Sequence, residues 1–178
     1  AWPPTLDGCP TGAMRWDSKE MTVDEVMEVI RRDYIAYKKS GGGVTISGGE
    51  PTGEQAEFAL AILRECKKEG FRTAIESSLY TRPEILEQFE DVVDDLIADI
   101  KIFDEERHKE ATGVSNKRIL ENIRDLTSRH KLLLRTPMIP GYTSDLENIR
   151  AIGEFVRKLP NVEMELLNFN PLFTQKYH

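Results

Sequence analysis

Cysteine and histidine are scarce in this sequence, with two cysteines (Cys9 and Cys66) and three histidines (His108, His130 and His178) among 178 residues. Two thiols are too few for a disulfide framework or a four-thiolate cluster. The histidines do not stand at ligand spacing, so no zinc site is readable. Excess positive charge is also missing: 24 Lys and Arg stand against 31 Asp and Glu, a net charge of −7. Phosphate binding needs a positive surface, which makes nucleic acid a poor partner. No apolar run is long enough to cross a bilayer and no signal peptide opens the chain, so no membrane partner and a cytoplasmic location are expected. The remaining composition, 39% hydrophobic and 31% charged, suits one soluble globular domain with a sizeable core. The chain opens at Ala1 without methionine and stops at His178 soon after an apolar strand, so a fragment is expected.

Helix-like and strand-like patterns alternate through the chain. Thr22 to Glu25 reads as a capping box, and apolar residues follow at helical spacing from Val23 to Tyr37. Gly41-Gly42-Gly43 ends that helix and leads into a strand over 44–46. A second capping box over 52–55 opens a helix with Phe58, Ile62, Leu63 and Cys66 inward, and Gly70 stops it. A strand over 73–75 follows, then a helix entered through Thr81 and Pro83, then a strand over 96–102. The charged stretch around His108 is expected to be solvated. A helix over 116–128 and a strand over 132–136 come next. A third capping box over 144–147 opens the last helix, before a strand over 162–167. Five α-β units joined by long connections predict a parallel sheet covered by helices. Eight strands do not fit this length, which leaves an open doubly wound sheet or a partial barrel. In the strand over 96–102, Ile97, Asp99 and Lys101 alternate with Leu96, Ala98 and Ile100. A sheet covered on both faces reads apolar throughout, so a polar face favours the partial barrel lining a cavity.

Ligands of such folds bind beyond the carboxyl ends of the strands. Those ends carry Ser47, Gly48, Gly49 and Glu50; then Glu76, Ser77 and Ser78; then Asp99 and Lys101; then Arg135; then Asn168 and Asn170. Acids, amides, hydroxyls and two bases at one mouth suit a zwitterionic ligand with ammonium, carboxylate and ribose hydroxyl groups. Each residue also has a plainer role: Asp99 and Lys101 as an ion pair, Arg135 neutralising a glutamate, Glu163 and Glu165 marking an edge strand, Cys66 as core.

The sequence resembles the radical S-adenosylmethionine enzymes, and among them the activating enzymes of glycyl-radical enzymes, such as that of pyruvate formate-lyase. The resemblance rests on Lys19-Glu20-Met21-Thr22-Val23-Asp24-Glu25-Val26, Ser40-Gly41-Gly42-Gly43-Val44-Thr45-Ile46-Ser47-Gly48-Gly49-Glu50-Pro51, Ala98-Asp99-Ile100-Lys101, Arg135-Thr136-Pro137-Met138-Ile139-Pro140-Gly141-Tyr142-Thr143 and Glu165-Leu166-Leu167. It implies an α/β fold, a partial (β/α)6-type barrel N-terminally truncated to about five parallel strands and occupying 21–178. Its cofactors would be S-adenosylmethionine and a [4Fe–4S] cluster. Gly48, Gly49 and Glu50 would hold the methionine amino group, and Asp99 and Lys101 the nucleoside and carboxylate side. Arg135 would lie near the carboxylate and sulfonium, Ser77 beside the carboxylate, and Asn170 near the adenine. The implied reaction is reductive cleavage of S-adenosylmethionine to a 5′-deoxyadenosyl radical, which takes hydrogen from a glycine of the partner. That partner would be a pyruvate formate-lyase-like enzyme, with flavodoxin or ferredoxin as reductant.

Cys9-Pro10 looks like the last ligand of a ferredoxin cluster, making 1–20 a remnant of a ferredoxin-like insert and Cys9 a possible orphan ligand. Activators with such an insert point to targets other than pyruvate formate-lyase itself, such as a dehydratase, a choline lyase or a decarboxylase. The family's CxxxCxxC cluster loop is absent from this chain, Leu79 replaces an expected glycine, and Asn170 replaces a common histidine. No catalytic residue is therefore assigned, and this chain alone is expected to be inactive. Two alternatives come from other classes. One is a non-catalytic truncated barrel that docks a glycyl-radical enzyme. The other is a barrel lyase using Lys101 as Schiff-base amine and Glu76 as proton shuttle.

Overall fold

The computed structural model describes residues 19–169. The chain runs through α1 (Val23–Arg31), α2 (Tyr34–Ser40), β1 (Gly43–Ile46), α3 (Ala56–Lys68), β2 (Arg72–Ser77), α4 (Pro83–Glu90) and β3 (Asp95–Asp99). It continues through α5 (Glu105–Thr112), α6 (Lys117–Arg129), β4 (Leu132–Met138), α7 (Leu146–Val156) and β5 (Val162–Asn168). The five strands form one parallel sheet in the order β1-β2-β3-β4-β5. Parallel crossovers are right-handed, so four successive connections in one direction place their helices on one face. A doubly wound sheet would reverse its strand order, and this one does not. The sheet is the wall of a partial barrel, as the alternation in β3 predicts.

Burial along the strands repeats that one-sidedness. Leu96, Ala98 and Ile100 are buried while Ile97, Asp99 and Lys101 are half-buried, and in β4 Leu132, Leu134 and Thr136 alternate with Leu133, Arg135 and Pro137 in the same way. The buried face joins Leu63 of α3, Phe89 of α4, Ile123 and Leu126 of α6 and Ile152 of α7 in the main core. Register across the sheet then sets the site, because Asp99 pairs with Arg135 and Arg135 with Glu165. No helix among the described residues is long and apolar enough to cross a membrane.

Several local expectations change, among them the strand expected over 96–102, which ends at Asp99. The first helix breaks at Arg32 and Asp33 into α1 and α2, although its capping box forms, with Glu25 N–H donating to Thr22 Oγ1 at 3.3 Å. The second capping box does not form: α3 starts at Ala56 without a side-chain cap, and the Thr52 hydroxyl turns to Glu50 instead. The cap of α7 is Asp145 rather than Ser144, accepting from Asn148 N–H at 2.9 Å. The charged stretch around His108 is the helix α5, capped by Asp104, and His108 is only 5% exposed. Its Nδ1–H donates to Val114 O at 2.8 Å, so the ring is a buried tie and not a solvated group. Cys9, Asn170 and nearly all of the expected insert remnant lie outside the described residues.

A second, smaller core joins α1 to α3 through Met27, Ile62, Cys66 and Phe71. The Cys66 Sγ–H points at Met27 Sδ, 3.8 Å away, and burial pushes its thiol up to about 11. Only the thiolate is nucleophilic. Iodoacetamide at pH 8 should therefore leave Cys66 unmodified in the folded chain and alkylate it after unfolding, as read by peptide mass spectrometry.

Candidate functional site

The mouth of the sheet is built where β1 ends. Gly48 and Gly49 have φ of +82° and +60°, a left-handed backbone that side-chain-bearing residues rarely adopt. No atom of the described residues lies within 4 Å of where a Cβ would stand on either residue, so among them the backbone is bared here. The turn brings Glu50 across to the end of β2. There Oε1 accepts from Thr52 N–H (3.2 Å), Thr52 Oγ1 (2.7 Å) and Ser77 Oγ (2.6 Å). Oε2 accepts from Ser78 N–H (2.9 Å) and Ser78 Oγ (2.5 Å). Burial alone would raise the Glu50 pKa, but the bonds from Ser77, Ser78 and Thr52 together outweigh it and hold the carboxyl below its ordinary value. A carboxylate offers about four lone-pair sites, so five donors leave Glu50 saturated. It is a hub that fixes the loops after β1 and β2 to one another.

Beside it runs a chain of charges. Ser47 Oγ donates to Glu76 Oε2 at 2.8 Å, and Glu76 Oε1 meets Arg135 Nη1 at 3.4 Å. Arg135 Nε in turn donates to Glu165 Oε2 at 3.2 Å, and Lys101 Nζ donates to Asp99 Oδ2 at 3.0 Å. These are the plainer pairings that the sequence allows for Asp99, Lys101 and Arg135. They remain partly open to solvent, with side chains 41% exposed at Lys101, 25% at Asp99 and 26% at Arg135, and pairs open to water are worth little net stability. Their charges can be exchanged for those of a ligand at small cost.

Gly48, Gly49, Glu50, Ser77, Asp99 and Lys101 thus sit at the carboxyl ends of β1 to β3, and Arg135, in the middle of the longer β4, lies level with Asp99. Sequence reasoning missed Thr52 as a hydroxyl donor, because its spacing to Gln55 imitates a capping box. It also missed two buried asparagines behind the mouth. Asn122 of α6 donates to Leu79 O (2.8 Å) and Thr81 O (2.9 Å), and Asn148 of α7 holds the loop carrying Lys101. Both stand on the apolar stripe of their helices, four residues before Leu126 and Ile152, and a polar residue on such a stripe is the signal that could have found them.

Concavity alone would point elsewhere. A groove of about 470 Å³ between α6 and α7, floored by Phe103 and Phe155, contains none of these residues. The candidate site therefore rests on the chemistry at the strand ends, where ligands of such folds bind, and not on concavity.

A zwitterionic nucleoside fits this mouth: open backbone at Gly48 and Gly49, half-exposed carboxylates, and two cations able to take a carboxylate. An iron–sulfur cluster does not fit the described residues. Among them no group of three or more His, Cys, Asp or Glu could hold a metal ion, and Cys66 is sealed inside the smaller core. The two cysteines of the whole sequence cannot supply three thiolates.

Comparison with known proteins shows the family. The profile of the Radical SAM superfamily matches residues 7–152. The isethionate sulfite-lyase activating enzyme of Oleidesulfovibrio alaskensis is 44% identical over 174 residues, 96% of this chain and 56% of that protein. The 4-hydroxyphenylacetate decarboxylase activating enzyme of Clostridioides difficile is 39% identical over 175 residues, 97% of this chain and 55% of that protein. The chain spans about half the length of the curated relatives it matches. The crystal structure of a domain of pyruvate-formate lyase-activating enzyme from Bacteroides vulgatus superposes with a TM-score of 0.67 at 32% identity, covering 74% of this chain and 83% of that one. The family's cofactors are S-adenosylmethionine and a [4Fe–4S] cluster. The chain belongs to the radical SAM superfamily, among the activating enzymes of glycyl-radical enzymes.

Proposed function

We propose that this chain is the S-adenosylmethionine-holding part of an activating enzyme that removes a hydrogen atom from a glycine of a glycyl-radical enzyme. The observation that carries the reading is the convergence of Gly48, Gly49 and Glu50 with Ser77, Asp99, Lys101 and Arg135 at one open mouth. Since Glu50 is saturated by loop donors, it serves by fixing the turn, and the bared backbone of Gly48 and Gly49 meets the methionine ammonium. Asp99 accepts from the ribose hydroxyls. Lys101 and Arg135 hold the methionine carboxylate, with Ser77 beside it, and exchange part of their pairing with Asp99 and Glu76 on binding. Asn170 is assigned to the adenine edge. The family's electron source is a [4Fe–4S] cluster reduced by flavodoxin or ferredoxin, and no described residue is assigned to it; Cys9 remains a proposed ligand of a second, ferredoxin-type cluster. The protein's share of the chemistry is orientation and exclusion of water. The names of the relatives favour a lyase or decarboxylase of the pyruvate formate-lyase type as target, and the cytoplasm is the proposed location.

The test is anaerobic iron–sulfide reconstitution of this chain and of the full-length protein, followed by dithionite and S-adenosylmethionine. Iron uptake and 5′-deoxyadenosine release by the full-length protein, with neither from this chain alone, is the expected result. A full-length protein that loads iron and releases no 5′-deoxyadenosine would overturn the reading. One that holds no iron yet binds a glycyl-radical enzyme would be a docking module.

A further inference from the structure

We propose that Asn148 is a positioning residue for the mouth, acting through the backbone of Lys101. It lies on the first turn of α7, is only 3% exposed, and touches none of the charged groups of the site. Its side chain makes three bonds, all to backbone and all to the loops that close the mouth. Nδ2 donates to Lys101 O at 3.0 Å and to Thr143 O at 2.9 Å, while Oδ1 accepts from Phe103 N–H at 2.9 Å. Both donors of the amide are used, and one amide plane ties the loop after β3 to the loop after β4. No other side-chain type of this size offers two donors and an acceptor in one plane.

The need for such a tie follows from where β3 ends. The sheet ladder stops at Asp99, and beyond it Ile100 N–H still donates to Arg135 O at 2.9 Å, but Lys101 has left the ladder. The Lys101 carbonyl is instead held by Asn148, so the root of the lysine side chain is set from α7. The far loop is held by the same helix turn: Ile139 N–H donates to Thr143 Oγ1 at 2.7 Å, Thr143 Oγ1 donates to Pro137 O, and Arg107 reaches both Tyr142 O and the cap Asp145. Burying an amide on an apolar helix stripe is costly unless every bond is made, and here each is. None of the three bonds goes to its own helix, so the reason for the amide lies in the loops it joins.

This inference rests on Lys101 taking the methionine carboxylate. The test uses the reconstituted full-length protein and measures the dissociation constant for S-adenosylmethionine alongside thermal stability. The variants are Asn148→Ser, Asn148→Ala, Lys101→Ala, the double variant Asn148→Ala with Lys101→Ala, and Ile152→Ala as an equally buried control on the next turn of the same helix. Asn148→Ala is expected to weaken binding roughly tenfold, the low end of what losing an orienting partner costs a metal site. Ile152→Ala should lose stability and keep its affinity. On the Lys101→Ala background, Asn148→Ala should add little, because the two act as a unit. Asn148→Ser, which keeps a hydroxyl and the least strain, serves if the alanine variant fails to fold, and should weaken binding in the same direction. Full affinity in folded Asn148 variants, or effects that multiply in the double variant, would overturn the inference while leaving Lys101 in place. Unchanged affinity in Lys101→Ala would instead overturn the reading of the mouth itself.

Discussion

Glu50→Ala should cost the chain about 3 kcal/mol of folding stability, more than a half-exposed surface carboxylate ordinarily contributes. The size follows from what the carboxylate holds. Thr52 and Ser77 are 1% and 4% exposed, so removing their acceptor strands donors that water does not reach. Part of the loss is recoverable, since the two hydroxyls already lie 3.2 Å apart and can turn to bond each other. The amides of Thr52 and Ser78 cannot turn, and they carry the remainder. Glu50→Gln keeps one acceptor and lets the hydroxyls accept from its NH2 group, so about half the loss is expected. Chemical denaturation of the three proteins gives the order.

The same carboxylate shapes acid unfolding. Its folded pKa lies below the unfolded one, so its stabilisation is fully present above the unfolded value of roughly 4.3 and fades as pH falls through the folded value. Asp145 behaves likewise, because hydrogen bonds from Arg107 and from Asn148 N–H hold its carboxyl at about 2. Stability of the wild type should therefore decline from about pH 4 downward. Glu50→Ala should remove its own share of that decline and leave the shares of Asp145 and of the other hydrogen-bonded carboxylates, Glu90 and Asp94 among them. Parallel melting curves for the two proteins from pH 7 to 2 would contradict the hub role.

Leu79 carries the second large effect. It has a φ of 57°, a left-handed conformation that costs a residue with a Cβ about 1–2 kcal/mol. It is also 1% exposed and packed in the main core, between the bonds from its own N–H to Ser77 Oγ (2.9 Å) and from Asn122 to its carbonyl (2.8 Å). Burial of the leucine side chain more than offsets the backbone cost, since removing such a side chain typically loses about 3–4 kcal/mol. Leu79→Ala loses that burial and keeps the strain. Leu79→Gly loses the burial and the strain, and gives back about 0.4–1 kcal/mol through the greater freedom of glycine in the unfolded chain. The glycine variant should thus be more stable than the alanine variant by roughly 0.5–1 kcal/mol, and both should fall well below the wild type. Urea denaturation resolves a gap of that size. The reverse order would mean that the loop relaxes out of the left-handed conformation when the leucine is removed.

Much of this was readable in the chain because two signals coincide. The β-branched run before Gly48 and the apolar alternation in β3 mark strands, and the polar residues at their ends mark the mouth, where they also bond one another. The choice between a doubly wound sheet and a barrel wall came from Asp99 and Lys101 sharing a face with Ile97, and the unreversed strand order agrees. What was not readable depends on competition between partners. The Thr52 hydroxyl donates to the charged Glu50, and the helix its spacing announces starts only at Ala56, three residues beyond capping reach. The helix α5 has almost no apolar periodicity; capping by Asp104 and the buried His108 hold it, and both depend on tertiary neighbours. Asn122 and Asn148 gain their meaning only from the loops that the fold brings above them.

The most direct test is the dissociation constant for S-adenosylmethionine in the reconstituted full-length protein, compared with Asp99→Asn and Lys101→Met. Both substitutions break a half-exposed ion pair that contributes little to folding, so melting temperatures should barely move. Affinity should nevertheless fall at least roughly tenfold in each, because the charges that would hold the ligand are gone. Unchanged affinity in both folded variants would place the nucleoside elsewhere and contradict a binding mouth at the ends of these strands.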